Sequence, residues 1–378
     1  MSLGRSWTGA QELQVRDSQG REVRALSYPL LVGKASYGDR VVLNSTALDR
    51  GLGTGGYAMV AAVLPRAGAE PGPRTEPGHL VKARYTPTQA MVMGVDEQDS
   101  PDHATLRSAT SIDAMPVITA DLHSALPAII AGVRLAAEQA GRPQPKIAYI
   151  MTDGGALPAW FSQTAATLRG LEWIAATITV GQAYGGDFEA VTVHTGLLAA
   201  KHVVGADLAI VIQGPGNLGT GTAWGFSGVA VGEAMNAAAV LGGIPVGSLR
   251  VSGSDLRERH VGISHHSLTA LGKVALAAGQ IVVPDFAPLL NPTDSSPFAQ
   301  SVIGGTELGA RIDAQVAELS ASAPRHTYLS VEATPQLHEA LMQVPVRLST
   351  MGRGYGQDPA AFLAAAVTGV HAVDLITS

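Results

Sequence analysis

Two segments concentrate the residue types that do chemistry. The first is Gly214-Pro215-Gly216-Asn217-Leu218-Gly219-Thr220-Gly221-Thr222, which directly follows the apolar run from Leu208 to Gln213. Glycines leave backbone N–H groups free to face an anion, and no Cβ blocks the approach. Gly214, Gly216, Gly219 and Thr220 are therefore candidate ligands of a phosphate-like or carboxylate-like group. The glycines also satisfy the G-x-G-x-x-G spacing of dinucleotide-binding turns after a strand. That version fits less well. Gly221, Gly225 and Gly228 delay the helix, and Ala237-Ala238-Ala239-Val240 stands where an acidic residue is expected. The simpler alternative is that these glycines serve tight turns and close helix–sheet packing.

The second segment, Arg257-Glu258-Arg259-His260-Val261-Gly262-Ile263-Ser264-His265-His266, is the densest cluster of catalytic residue types. Arg257 and Arg259 can grip a carboxylate or phosphate in bidentate fashion. His260 titrates near neutral pH, which suits proton transfer, and His265 is a further candidate ligand-binding group. Ser264 is placed to cap the next helix. Asp153, followed by Gly154 and Gly155 after a buried-type strand, is with His260 a candidate catalytic residue for handling protons. His260, His265 and Asp153 could also hold a metal. The histidines lack the i,i+4 spacing that makes such motifs specific, so no metal ligands are assigned. Ser124 beside His123 lacks a G-x-S-x-G elbow and reads as a helix cap. The stretch of residues 51–56 reads as a turn or bulge.

Positioning these groups requires strands that end together. Short β-type runs at 116–120, 146–151, 175–180, 208–213, 245–251 and 280–283 alternate with helical segments at 125–140, 158–168, 195–202, 229–241 and 267–278. Such alternation predicts an α/β fold, with a mainly parallel sheet and helices on both faces. Ligands of open parallel sheets bind beyond the carboxyl ends of the strands. Polar and glycine residues recur at those exits: Asp121 and His123, then Asp153, then Gly181 to Glu189, then Gly214, then Ser252 to His260. Before this, short strands and tight turns predict a small N-terminal β-barrel or sandwich. The expected division is a small β domain at 1–95, an α/β ligand-binding domain at 114–286 and a C-terminal α/β extension at 301–378. Residues 65–78 and 285–300 read as an exposed loop and a linker.

Composition narrows the classes. With 46% apolar and 15% charged residues, the chain is folded rather than disordered. It has no cysteine, which excludes disulfides, thiolate metal sites and cysteine nucleophiles. No apolar stretch reaches about 18 residues uninterrupted, and no secretory pattern opens the chain. No membrane association is therefore expected, and a cytoplasmic location is the default. The net charge of −6 is uneven: residues 1–85 hold 11 Lys and Arg against 7 Asp and Glu, the remainder 14 against 24. The basic part has no dense cluster, so nucleic-acid binding is disfavoured, and docking of the two parts is the plainer reading.

The combination of the 51–56 glycines, Thr152-Asp153-Gly154-Gly155, the 214–221 stretch and the 257–266 cluster resembles a bacterial family of uncharacterised proteins, over roughly residues 10–285. The resemblance implies no activity, cofactor or site residue. From the residues alone, the leading expectation is an enzyme acting on a small anionic or phosphorylated ligand. Its rivals are a non-catalytic sensor or scaffold and a nucleic-acid binder. Cofactor, substrate and self-association stay open.

Overall fold

The computed structural model describes residues 2–64, 77–289 and 306–376. Most of the expected 65–78 loop and the 290–300 part of the expected linker lie outside the described residues. The N-terminal region is one five-stranded sheet. It comprises β1 (Ser2–Trp7), β2 (Ala10–Arg16), β3 (Glu22–Ser27), β4 (Val41–Asn44) and β5 (Ala58–Val63), in the order β1-β2-β3-β5-β4. All its pairs are antiparallel except β3–β5. The small β domain is thus an open sheet whose edges do not meet. A hairpin of β6 (Leu80–Lys82) and β7 (Ala90–Val92) follows.

The main sheet has eight strands. They are β8 (Pro116–Ala120), β9 (Ile147–Thr152), β10 (Ala176–Thr179), β11 (Phe188–Glu189), β12 (Leu208–Gln213) and β13 (Ile244–Ser248), and, after the short ladder of β14 (Val251–Ser252) with β15 (Gly262–Ile263), β16 (Gln280–Asp285) and β17 (Thr327–Glu332). Their order is β11-β10-β9-β12-β8-β13-β16-β17, and every neighbouring pair is parallel. The central strands are apolar along their length because both faces are covered. Ile147, Tyr149 and Met151 of β9 face one core with the helices Leu126–Gln139 and Pro359–Asp374. Ala148 and Ile150 face the other, with the helices Val193–Ala199 and Ala230–Val240.

The tail is built into this core. Residues 327–332 pair with β16 over six positions, supplying the last strand. The helix Pro359–Asp374 lies against Leu126–Gln139 at glycines on both sides. A Cβ at Gly132 would collide with the Ala366 carbonyl, and one at Gly369 with the Ile129 carbonyl. The N-terminal sheet meets the α/β part through aromatic rings: Trp160 lies 6.0 Å from Tyr28 and 5.5 Å from Tyr184. The indole N–H of Trp7 donates to the Trp160 carbonyl at 2.6 Å. Buried Lys82 bonds Glu189 at 2.8 Å and two carbonyls besides, so the β6–β7 hairpin is tied to the edge of the main sheet.

Chain order creates the crevices. From β8 the chain passes across β12 to β9 and on to β10 and β11. It then returns to β12 and crosses β8 to β13, β16 and β17. Connections leaving adjacent β8 and β13 run in opposite directions, as do those leaving adjacent β9 and β12. Each reversal opens a crevice at the carboxyl ends of the strands.

Candidate functional site

The β8/β13 crevice holds a set of enclosed charges. Asp121, directly after β8, is buried, and its Oδ2 accepts from Arg250 Nη1 at 2.8 Å and from His266 Nδ1 at 3.0 Å. Burial works to raise its pKa, yet the His266 hydrogen bond and the Arg250 charge hold it below the usual aspartate value. The Asp121 carbonyl accepts from Gln213 Nε2 at 2.7 Å. A Cβ at Gly228 would collide with Asp121 Oδ1, so only glycine fits there. An ion pair this enclosed is kept only with good geometry and further hydrogen bonds, because desolvation otherwise exceeds the Coulombic gain.

Three imidazoles surround this pair. His266 stacks on Phe226, with centroids 3.8 Å apart and planes within 6°. The rings of His260 and His265 lie 5.1 and 4.4 Å from that of His266, and 4.9 Å from each other. Ser264 caps the five-residue helix His265–Thr269, as its position suggested, accepting from the His266 N–H. Its Oγ also lies 2.7 Å from His260 Nδ1. Burial, then the charges of Arg250 and Arg257, push the His260 pKa down to about 3. Burial and neighbouring cations push His265 down to about 4. Both rings are therefore neutral near pH 7. Among the described residues the buried Nε2 of His265 has no hydrogen-bond partner, a state that costs about 1–3 kcal/mol.

The glycine-dense stretch is built as a hairpin rather than a strand–turn–helix cradle. Gly219 bridges Phe226, Thr220 N–H donates to the Gly225 carbonyl at 2.7 Å, and Ser227 N–H donates to the Leu218 carbonyl at 2.9 Å. Gly214 N–H is likewise used, on the Thr152 carbonyl. A Cβ at Gly155 would collide with the Gly214 carbonyl, so these two glycines serve close packing between neighbouring loops. Gly216, with φ 92, and Gly219 lie on the exposed part of the hairpin. Asn217 links the hairpin to the crevice, its Nδ2 3.4 Å from Asp121 Oδ1 and its Oδ1 accepting from Ser227 Oγ.

The remaining candidates separate. Asp153 is exposed and accepts from the Gln182 N–H at 2.9 Å, on the β10 side of its strand. Among the described residues no hydrogen bond joins Asp153 to His260, whose Nδ1 is on Ser264. Asp121 occupies the carboxylate position beside the histidines instead. The fork of Arg257 is taken by Asp255, at 2.9 Å on both arms. Asp255 also accepts from Arg353, whose Nε reaches Asp358 at the start of the last helix. Those bonds, with Arg257 foremost, hold the Asp255 carboxyl far below its usual range. Arg259 is exposed and makes no ion pair among the described residues; its guanidinium lies at Gly221, near the hairpin tip. His123 has both ring nitrogens engaged, by Tyr149 and Ser162.

Asp121, Arg250, His266 and Gln213 are the residues that sequence reasoning left unassigned. The available signals were an aspartate immediately beyond an otherwise apolar strand and the place of His266 in the 257–266 cluster.

The fold and rim define an α/β protein with a parallel eight-stranded sheet and a polar site at the strands' carboxyl ends. The chain belongs to the family described as Protein of unknown function (DUF3866), whose profile matches residues 24–369. The expected membership of an uncharacterised family is thereby met. No curated protein matches the chain. Among solved structures, the crystal structure of hydrogenase maturation factor HypB from Archaeoglobus fulgidus is similar at 15% identity, covering 61% of this chain and 86% of that one with a TM-score of 0.29. That score is too low to equate the two folds. Among the described residues, no helix is long and apolar enough to cross a membrane.

Proposed function

We propose that the protein is an enzyme acting on a small anionic ligand bound above the β8/β13 crevice. The observation that carries this reading is the enclosed Asp121–Arg250–His266 constellation with His260 and His265 gathered against it. Enclosed polar groups with shifted proton affinities, collected at the reversal point of a parallel sheet, are a common form of active site. Arg259 is the cation left to grip the ligand's charged end, with Gly221 of the hairpin beside it and Gly216, Gly219 and Thr220 exposed on the same stretch. Arg257 acts indirectly, by gripping Asp255, the carboxylate that Arg353 also holds. In this reading His260, held by Ser264, handles protons within this centre, and the carboxylate beside the histidines is Asp121, which bonds His266, rather than Asp153.

The test is calorimetric titration with inorganic phosphate and a panel of sugar phosphates and carboxylates, with turnover followed on the same panel. Loss of one charge-assisted contact, worth about 1.5–3 kcal/mol, should weaken the best ligand by about 10- to 100-fold in Arg259→Ala. Equal affinity in wild type and variant would remove the assignment of Arg259. Tight binding with no turnover of any compound would instead favour a sensor.

A further inference from the structure

We infer that His260, His265 and His266 form a binding site for one divalent transition metal ion of the zinc type. One ring nitrogen from each of the three lies within 4.8 Å of the others. Around a tetrahedral ion with bonds of 2.0–2.1 Å, nitrogens stand about 3.3 Å apart, a gap that small side-chain rotations close. Each ring has a nitrogen to give. His260 Nδ1 faces Ser264, and His266 Nδ1 lies 3.0 Å from both Asp121 Oδ2 and Arg250 Nη1, which leaves Nε2 on both, while the Nε2 of His265 is buried with no partner among the described residues.

The surroundings fit an ion rather than mere packing. A ligating histidine is typically held by a carboxylate on its other nitrogen, which fixes the ring and raises its basicity; Asp121 does this for His266. Asp121 pairs with Arg250, and Asp255 with Arg257, which offsets part of the positive charge around the rings. Three imidazoles without a carboxylate ligand select zinc, copper, nickel or iron over magnesium or calcium. With three protein ligands, a fourth position remains for water or for an anionic ligand held by Arg259. The ligand set lies outside the i,i+4 pattern because His260 is brought in by the turn that Ser264 and the β14–β15 ladder shape.

The inference rests on the histidine geometry and not on the anion reading, since metal titration requires no anionic ligand. Untagged full-length chain, stripped with a chelator, is titrated with Zn²⁺ against a chromogenic competitor, with Co²⁺, and with Mg²⁺. The expected result is one zinc per chain, the strong visible absorption of four-coordinate cobalt, and no competition from magnesium. His265→Ala should lower zinc affinity by more than about 100-fold. Asp121→Asn should lower it by about 10- to 100-fold, the range typical of outer partners. Should alanine unfold the chain by circular dichroism, His265→Gln repeats the measurement. Wild type binding less than one equivalent, a weak six-coordinate cobalt spectrum, or undiminished affinity in a folded His265 variant would each overturn the inference.

Discussion

The same sheet opens two crevices along one edge, and they are built differently. Between β9 and β12, glycines crowd the loops, Asp153 stands in solvent, and backbone amides satisfy backbone carbonyls. Between β8 and β13, Gly228 makes room for Asp121, and the space goes to Asp121, Arg250 and three imidazoles. Glycine density marks where chains must approach closely. Enclosed charge marks where the fold tolerates a desolvation cost, and such a cost is characteristic of a functional site.

Removing one carboxylate from each crevice is the severest trial of this contrast. Asp121→Ala leaves Arg250 buried without its counter-charge, and breaking a buried pair in this way costs about 3–5 kcal/mol. Asp153→Ala removes one hydrogen bond from an exposed group and should cost about 1 kcal/mol or less. Urea denaturation of both variants, at unchanged slope, reads the difference directly. Comparable losses would mean that the two crevices are energetically alike.

Much of the fold was legible from residues, and rather less of the site. Short uninterrupted apolar runs such as Ala-Ile-Val-Ile in β12, alternating with longer helical segments, fit strands covered on both faces, so the α/β core followed from the pattern of elements. Strand order did not follow, because apolar strands carry no mark of their neighbour. Which carboxylate meets which histidine is set by that order: β8 sits beside β13, and β9 does not. Helix ends were blurred for a local reason. The expected helices at 195–202 and 267–278 pass into wider π turns at Ala200–Val204 and Ala270–Val274, a change of winding without a composition signal. The N-terminal sheet was visible in its strands and turns, but its parallel β3–β5 pair depends on a long connection that no local pattern reports.

A carboxylate outside the rim sharpens the comparison by acting as its control. Glu12 in β2 is gripped by Arg24 at 2.7 Å, Tyr57 at 2.8 Å and Arg5 at 3.2 Å. The Arg24 hydrogen bond is the main cause of its pKa falling to about 2, against a smaller opposing effect of burial. A carboxyl depressed on folding contributes stability that is fully present above its unfolded pKa, near 4.5, and is lost as pH falls toward the folded value. Both arginines are well exposed, so screening reduces the contribution to about 1–2 kcal/mol. Wild type should therefore lose stability to acid between about pH 4.5 and 2, and Glu12→Gln should lose about that much less. Identical acid profiles for the two would mean that Glu12 contributes nothing to this loss.

The smallest expected effect separates the two readings of the glycine-dense stretch. At Gly219 the nearest atom to an added Cβ is 4.0 Å away, and the backbone lies outside the left-handed region. Gly219→Ala should then change stability by no more than about 0.5 kcal/mol, as an exposed substitution without a special role does. If the hairpin tip helps Arg259 hold an anion, the methyl group would obstruct the approach to the tip and weaken phosphate binding at unchanged stability. If the β8/β13 crevice does the work alone, binding will match wild type, and the glycines belong wholly to the packing of the loops. An affinity loss would move the ligand toward the hairpin and narrow the difference between the two crevices. No loss would leave the chemistry with the histidines.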